Sequence, residues 1–185
     1  MARTLSALAA CVLFAAACGP AAGSGSATTR SAASGSVATG PAASDQTRPS
    51  NAVVTHVVDG DTIDATIDGV SERIRLIGID TPETKKPNTP IQCFGPEASA
   101  YTTMLLPIGT PVYLERDQVG RDDYGRLLAY VYRSSDGLFV NLDIVAGGFA
   151  KPLTIAPNNA YADQFVDAAR LAERANIGLW ASCSG

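Results

Sequence analysis

Residues 52–80 read AVVTHVVDGDTIDATIDGVSERIRLIGID, and this stretch decides the fold. Three strand-like runs follow one another across two tight turns. Ala52 to Val58 is apolar and β-branched, a composition that suits a pleated, half-buried surface. Asp59-Gly60 supplies turn chemistry. From Thr62 to Ile67, the apolar Ile63, Ala65 and Ile67 alternate with Thr62, Asp64 and Thr66, the period-two pattern of a half-buried strand. Asp68-Gly69 marks a hairpin, because a two-residue turn there needs positive φ. Glu72 to Ile79 sets Ile74 and Leu76 against Arg73, Arg75 and Ile77 and reads as a third strand, so the three form a meander.

Beyond the meander the pattern lengthens. Gly95-Pro96-Glu97 opens a helix, with proline in the first turn and an acid near the positive end of the dipole; it runs to about Leu106, where Pro107 stops it. Thr110 to Arg116 and Leu127 to Arg133 read as a fourth and a fifth strand, with a turn from Ser134 to Gly137. Val140 to about Gly147 is a short helix that ends at a glycine pair. Asn159 to Ala175 is the last helix, and Tyr161, Phe165, Ala168, Leu171 and Ala172 fall on one side at helical spacing. These residues and Trp180 are expected in the core. Five short strands interleaved with helices predict an α+β fold, mainly β: a five-stranded OB-type barrel capped by about three helices.

The opposite end has another character. Arg3 gives a short positive start, and Leu5 to Ala17 form an apolar run too short to span a bilayer as a mature helix. Residues 1–17 therefore read as an export signal. Small residues Ala15, Ala16 and Ala17 precede Cys18, similar to the lipobox of bacterial lipoproteins, in which the cysteine is lipidated. The position three before Cys18 departs from that pattern, since it is Ala15 and not a larger aliphatic; an ordinary signal with an Ala-x-Ala cleavage site is the alternative. Residues 18–50 are Gly/Ala/Ser/Thr-rich without apolar pattern and read as a disordered tether, leaving residues 51–183 as one domain. The expected location is extracytoplasmic, membrane-anchored through Cys18 or secreted, and the chain is expected to be a monomer.

Charge and cysteines narrow the possibilities. From Asn51 onward there are 11 Lys/Arg against 17 Asp/Glu, a net of −6, unlike a protein that binds polyanions by bulk charge. Any such binding must be local and salt-sensitive. Of four cysteines, Cys11 lies in the signal and Cys18 is the lipidation candidate. Cys93 and Cys183 remain, and in an oxidising compartment an even pair predicts a disulfide; two thiols that never meet are the alternative. Neither has a Cys or His neighbour at zinc-ligand spacing.

Three short sequences carry chemistry: Asp59-Gly60-Asp61-Thr62, Arg75 through Thr84, and Asp122-Asp123-Tyr124-Gly125-Arg126-Leu127. Each alone is ordinary turn or loop chemistry. Together they bring carboxylates Asp61, Asp80 and Glu83 and guanidiniums Arg75 and Arg126 to strand ends and the loops beside them, where functional groups collect. Hard oxygen donors suit Ca²⁺ or Mg²⁺. Cleavage of a phosphodiester needs a cation on a phosphoryl oxygen, a base for water and donors for charge growing on phosphorus. Arginine suits the last role, because its planar fork binds phosphate bidentately.

With these motifs in this order, the stretch from about Val53 to Trp180 resembles the thermonuclease, or staphylococcal nuclease, family. Phe94-Gly95-Pro96-Glu97-Ala98 and Pro157-Asn158-Asn159 add to the likeness. The resemblance implies an OB barrel with helices and Ca²⁺-dependent cleavage of DNA and RNA to 3′-phosphate ends. It implies calcium at Asp61, Asp80 and the backbone carbonyl of Thr81, with Glu83 orienting or deprotonating water. Arg75 and Arg126 would clamp the phosphate, Tyr124 would lie near phosphate or sugar, and Asp59 would act at most behind the ligands. Lys85 and Lys86, in the basic loop after Glu83, are expected to meet the nucleic-acid backbone. Lys151 to Ile155 lacks the base-contacting tyrosines frequent in the family, so base stacking should be weaker. The lone His56 lies away from any nucleophile motif and reads as structural or surface. A binding module that kept the fold without catalysis, or an envelope lipoprotein with the barrel as a spacer, are the competing readings.

Overall fold

The structure, a computed structural model, describes residues 48–85 and 90–183. The expected meander is present as β1 (Ala52–Asp59), β2 (Thr62–Ile67) and β3 (Val70–Leu76). Asp68 and Gly69 both take positive φ, 49° and 81°, which the β2–β3 hairpin requires. After β4 (Gly78–Asp80) and α1 (Gly95–Leu105) come β5 (Pro111–Glu115) and β6 (Leu127–Arg133). Then follow α2 (Val140–Ala146), β7 (Lys151–Leu153), α3 (Ala162–Arg174) and α4 (Leu179–Ser182).

Five strands close a barrel in the order β1-β2-β3-β6-β5. Closure comes from antiparallel pairing of Ala52 with Val112. The β3–β6 pair is parallel, Ile74 opposite Leu127 and Leu76 opposite Ala129. Where that pair ends, the buried Asn141 of α2 bridges it. Its Oδ1 accepts from Val131 N–H at 2.9 Å, and its Nδ2 donates to the Ile77 carbonyl at 2.9 Å. The alternating apolar positions fill the barrel: Val54, Ile63, Ala65, Ile74, Leu76, Val112 and Val131 are fully buried, each of the larger ones contributing about 1.5–3 kcal/mol.

Three features depart from the sequence reading. The expected third strand is interrupted at Ile77, and Gly78 to Asp80 form β4, which pairs with β7 in a separate two-stranded sheet. Three-residue strands are too short to show alternation, so neither was legible. A fourth short helix, α4, carries Trp180 to the end of the domain. On α3 the buried positions are Phe165, Ala169 and Ala172, one face at i, i+4 and i+7. Tyr161, Ala168 and Trp180 are partly buried against that core, whereas Leu171 is 60% exposed and is not a core residue.

Cys93, just before α1, is bonded to Cys183, just after α4, with Cα atoms 5.8 Å apart. The bond ties the front of the first helix to the tail across 90 residues. Residues 1–17, Cys18 and most of the tether lie outside the described residues, as does Lys86. Among the described residues no helix is long and apolar enough to cross a membrane.

Candidate active site

The β1–β2 turn places the first carboxylate. Gly60 lies so close to Thr81 that a Cβ there would sit 2.7 Å from its hydroxyl, so glycine lets the two segments meet. The Thr102 hydroxyl of α1 donates to the Gly60 carbonyl at 2.6 Å, and Leu76 N–H donates to the Asp61 carbonyl at 2.8 Å. Asp61, held from both sides, is buried. Its Oδ2 accepts from Thr81 N–H at 2.8 Å and from the Thr81 hydroxyl at 2.9 Å.

Arg75 leaves β3 beside this turn with its side chain 13% exposed. One nitrogen lies 2.5 Å from Asp61 Oδ1, and the other lies 3.2 Å from Asp80 Oδ1. The second nitrogen also donates to the Ile79 carbonyl at 3.0 Å. The convergence depends on Gly78, whose φ of +82° turns the chain between β3 and β4. That turn brings Asp80 back over Arg75, five residues earlier. Lys151 stands opposite Asp80 in the β4–β7 pair.

Glu83 follows in the next loop. Its Oε1 accepts from the N–H groups of Thr84 and Lys85 at 2.8 and 2.7 Å. Arg126 comes from the turn that enters β6, where Asp122 grips it twice. One oxygen of Asp122 accepts from Arg126 N–H at 2.9 Å, the other from Nε at 2.7 Å. The Arg126 guanidinium lies 5.4 Å from the Tyr124 ring centre.

These groups line one polar cleft of about 300 Å³, in which Asp59, Asp61, Asp80 and Glu83 face Arg75 and Arg126. The excess of carboxylates shows in their protonation. Burial, then the neighbouring Asp61, push the Asp59 carboxyl up to about 6, against hydrogen bonds from Thr62 and the Asp61 N–H. Asp80 is also raised, by burial first and then by Asp61, with Arg75 offsetting only part. A hard cation beside such donors would favour the charged forms and relieve the repulsion, so the donor set fits a divalent ion with oxygen preference. Among the described residues no cluster of three or more His, Cys, Asp or Glu forms a ready cage. Arg75 stands between Asp61 and Asp80 and balances them.

Residues 73–182 match the family model described as staphylococcal nuclease homologue. The thermonuclease of Staphylococcus intermedius is 41% identical over 138 residues, 75% of this chain and 80% of that protein. The chain belongs to the staphylococcal nuclease homologue family. The thermonuclease of Staphylococcus hyicus is 39% identical over 129 residues, 70% of this chain and 75% of its own. Endonuclease YncB of Bacillus subtilis (strain 168) is 38% identical over 132 residues, 70% of this chain and 61% of its own. Membership places the chain among nuclease hydrolases.

Against this family background, the expected site residues separate. Asp61, Asp80, Thr81, Glu83, Arg75 and Arg126 all line the cleft. Thr81 meets Asp61 through its N–H and hydroxyl, contacts its expected carbonyl role did not include. Tyr124 is 86% exposed beside Arg126 and lines a neighbouring apolar pocket. Lys85 is exposed and is not among the residues lining the cleft. His56 is exposed on β1 and also absent from the lining. Sequence reasoning missed Gln92, which lines the cleft, and Asp122, the partner of Arg126. The Asp122-to-Arg126 spacing was a visible signal; Gln92 carried none. Asn158 of the Pro-Asn-Asn element is a brace: its amide bonds both the N–H and the carbonyl of Val119, at 2.8 and 2.9 Å.

Proposed function

We propose that this protein is a calcium-dependent nuclease that hydrolyses DNA or RNA to 3′-phosphate ends outside the cytoplasm. The observation that carries the reading is Arg75 spanning Asp61 and Asp80 in a cleft shared with Glu83 and Arg126. Asp61, Asp80 and the Thr81 carbonyl would hold the ion, which when bound supplies positive charge to a non-bridging phosphate oxygen. Glu83, oriented by two backbone N–H groups, takes the proton of the attacking water. Arg75 and Arg126 hold the phosphate and neutralise charge as it grows on phosphorus.

Beside the cleft lies an apolar pocket of about 340 Å³ that includes Leu76, Ile79, Leu153 and Ile155. It suits a nucleobase, with Tyr124 the one aromatic ring among the described residues that line it. Fewer rings mean weaker stacking, by about 1–3 kcal/mol per lost ring. The apolar run and small residues before Cys18 support export and a lipid anchor to a membrane, and the acidic balance supports salt-sensitive substrate binding.

The test incubates the oxidised protein with single-stranded DNA and RNA, with calcium or with a calcium-selective chelator, and reads product ends by phosphatase sensitivity. Calcium-dependent cleavage to 3′-phosphates, lowered in Glu83→Gln and in Arg126→Ala without loss of fold, is expected. Wild-type rates in both variants would show that the chemistry lies elsewhere.

A further inference from the structure

We propose that Gln92 is a positioning residue for Glu83 and that the Cys93–Cys183 bond holds Gln92 in place; this rests on the nuclease reading of the cleft. The carboxylate of Glu83 accepts from the N–H groups of its own loop, so its direction depends on the main chain that carries it. Gln92 fixes that main chain from both sides. Its side-chain oxygen accepts from Glu83 N–H at 2.9 Å, and its own N–H donates to the Glu83 carbonyl at 2.9 Å. The loop is thereby closed at its base like a purse, with Glu83 on one lip.

Two further contacts keep that base from drifting. The next residue, Cys93, is bonded to Cys183. Two residues on, Gly95 packs so tightly that a Cβ would lie 3.1 and 3.2 Å from the carbonyl oxygens of Pro82 and Glu83. Both cysteines and Gln92 also line a cavity of about 250 Å³ whose other walls include Asp80 and Thr81. The disulfide thus shares a wall with the cleft and does not merely staple a distant tail. Gln92 itself is exposed, so its substitution leaves the core intact, and any loss of rate reports on Glu83 and not on unfolding. Small misplacement of a catalytic group is costly, because proton transfer needs a water-to-carboxylate geometry held to a fraction of an ångström.

The experiment compares Gln92→Met, which keeps size and loses the accepting oxygen, with Gln92→Glu, which keeps the oxygen. Steady-state kinetics on a defined oligonucleotide with calcium is paired with hydrogen exchange of the Glu83 amide, read by NMR on the same proteins without added metal. In Gln92→Met, kcat is expected to fall about 10–100-fold with KM nearly unchanged, and the Glu83 amide to exchange faster. Gln92→Glu should restore the protection and most of the rate. Cys183→Ser, assayed at a temperature where it is folded, should move both readouts in the same direction. Unchanged exchange and kcat in Gln92→Met would overturn the inference while leaving the nuclease reading intact, provided Glu83→Gln still abolishes cleavage. Wild-type protein without cleavage would overturn both. A Cys183→Ser protein with wild-type exchange and rate would remove the disulfide from the brace.

Discussion

Gly78→Ala tests whether the kink between β3 and β4 is imposed by packing or merely tolerated. Gly78 has φ +82°, where an L-residue costs about 1–2 kcal/mol. A Cβ there would also overlap the ring of Phe165, a fully buried side chain on α3. Overpacking of that kind adds about 1–3 kcal/mol, so the expected loss of unfolding free energy is about 2–5 kcal/mol. Gly69→Ala separates the two contributions, because Gly69 has φ +81° and nothing lies within 4 Å of the place its methyl would take. It should lose only the conformational part, about 1–2 kcal/mol. Urea unfolding of both variants, with unchanged m values, gives the difference directly. A second arm places Gly78→Ala in a Phe165→Leu background, where the smaller side chain should bring the cost down toward that of Gly69→Ala. If Gly78→Ala costs no more than Gly69→Ala, the ring does not set the kink and the account of how Asp80 reaches Arg75 is wrong.

Asp122→Ala removes both side-chain bonds that hold Arg126 and should lower kcat by about tenfold or more, with a stability loss of about 1–3 kcal/mol from the donors left unpaired, checked by steady-state kinetics and a melting curve. Asp117 ties the β5–β6 loop to the start of α3, accepting from Ala160 N–H, Tyr130 OH and Gln118 N–H. Burial pushes its carboxyl up, but these donors together hold it below the usual range. A depressed folded value stabilises the native state above the unfolded value of about 3.9 and loses that effect as pH falls through the folded value. Asp117→Ala should therefore cost about 1–3 kcal/mol at neutral pH, and its gap to wild type in urea midpoint should close below about pH 4. Replacing Cys93 and Cys183 with serine opens a 90-residue loop and should lower stability by about 2–5 kcal/mol, read from urea midpoints of the double variant against the oxidised protein.

Much of the site was legible because it is made of short local motifs. Asp61 sits in a turn, Asp80 ends a strand with Glu83 just beyond it, and Arg126 precedes a strand. Residue type and spacing suffice to say that carboxylates and guanidiniums meet at one end of a barrel. Asp122, four residues before Arg126, is a local partner, but others come from further along the chain and carry no local signal. Gln92 is an isolated polar residue in a loop, and its role exists only because the chain returns to Glu83. The β4–β7 pair was invisible for a related reason: three residues do not define a period, and the pair owes its existence to Gly78 turning Asp80 toward Lys151. Leu171 lies one position outside the buried face of α3, beside Ala172, so helical spacing alone does not separate it from the core.

The sequence by itself determined the meander, the order of the barrel strands along the chain, the starts of α1 and α2, and which carboxylates and guanidiniums meet at one end of the barrel. Alternation, turn dipeptides and caps are local, and local energies are readable one segment at a time. The Cys93–Cys183 bond, which the even pair of cysteines predicted, is present, whereas tertiary structure alone decided the parallel β3–β6 pairing with Asn141 at its end and the placement of Arg75 between two carboxylates. Each of these is a contact between residues far apart in the chain or folded back by a single glycine. Its energy depends on distance and burial, which no local pattern encodes.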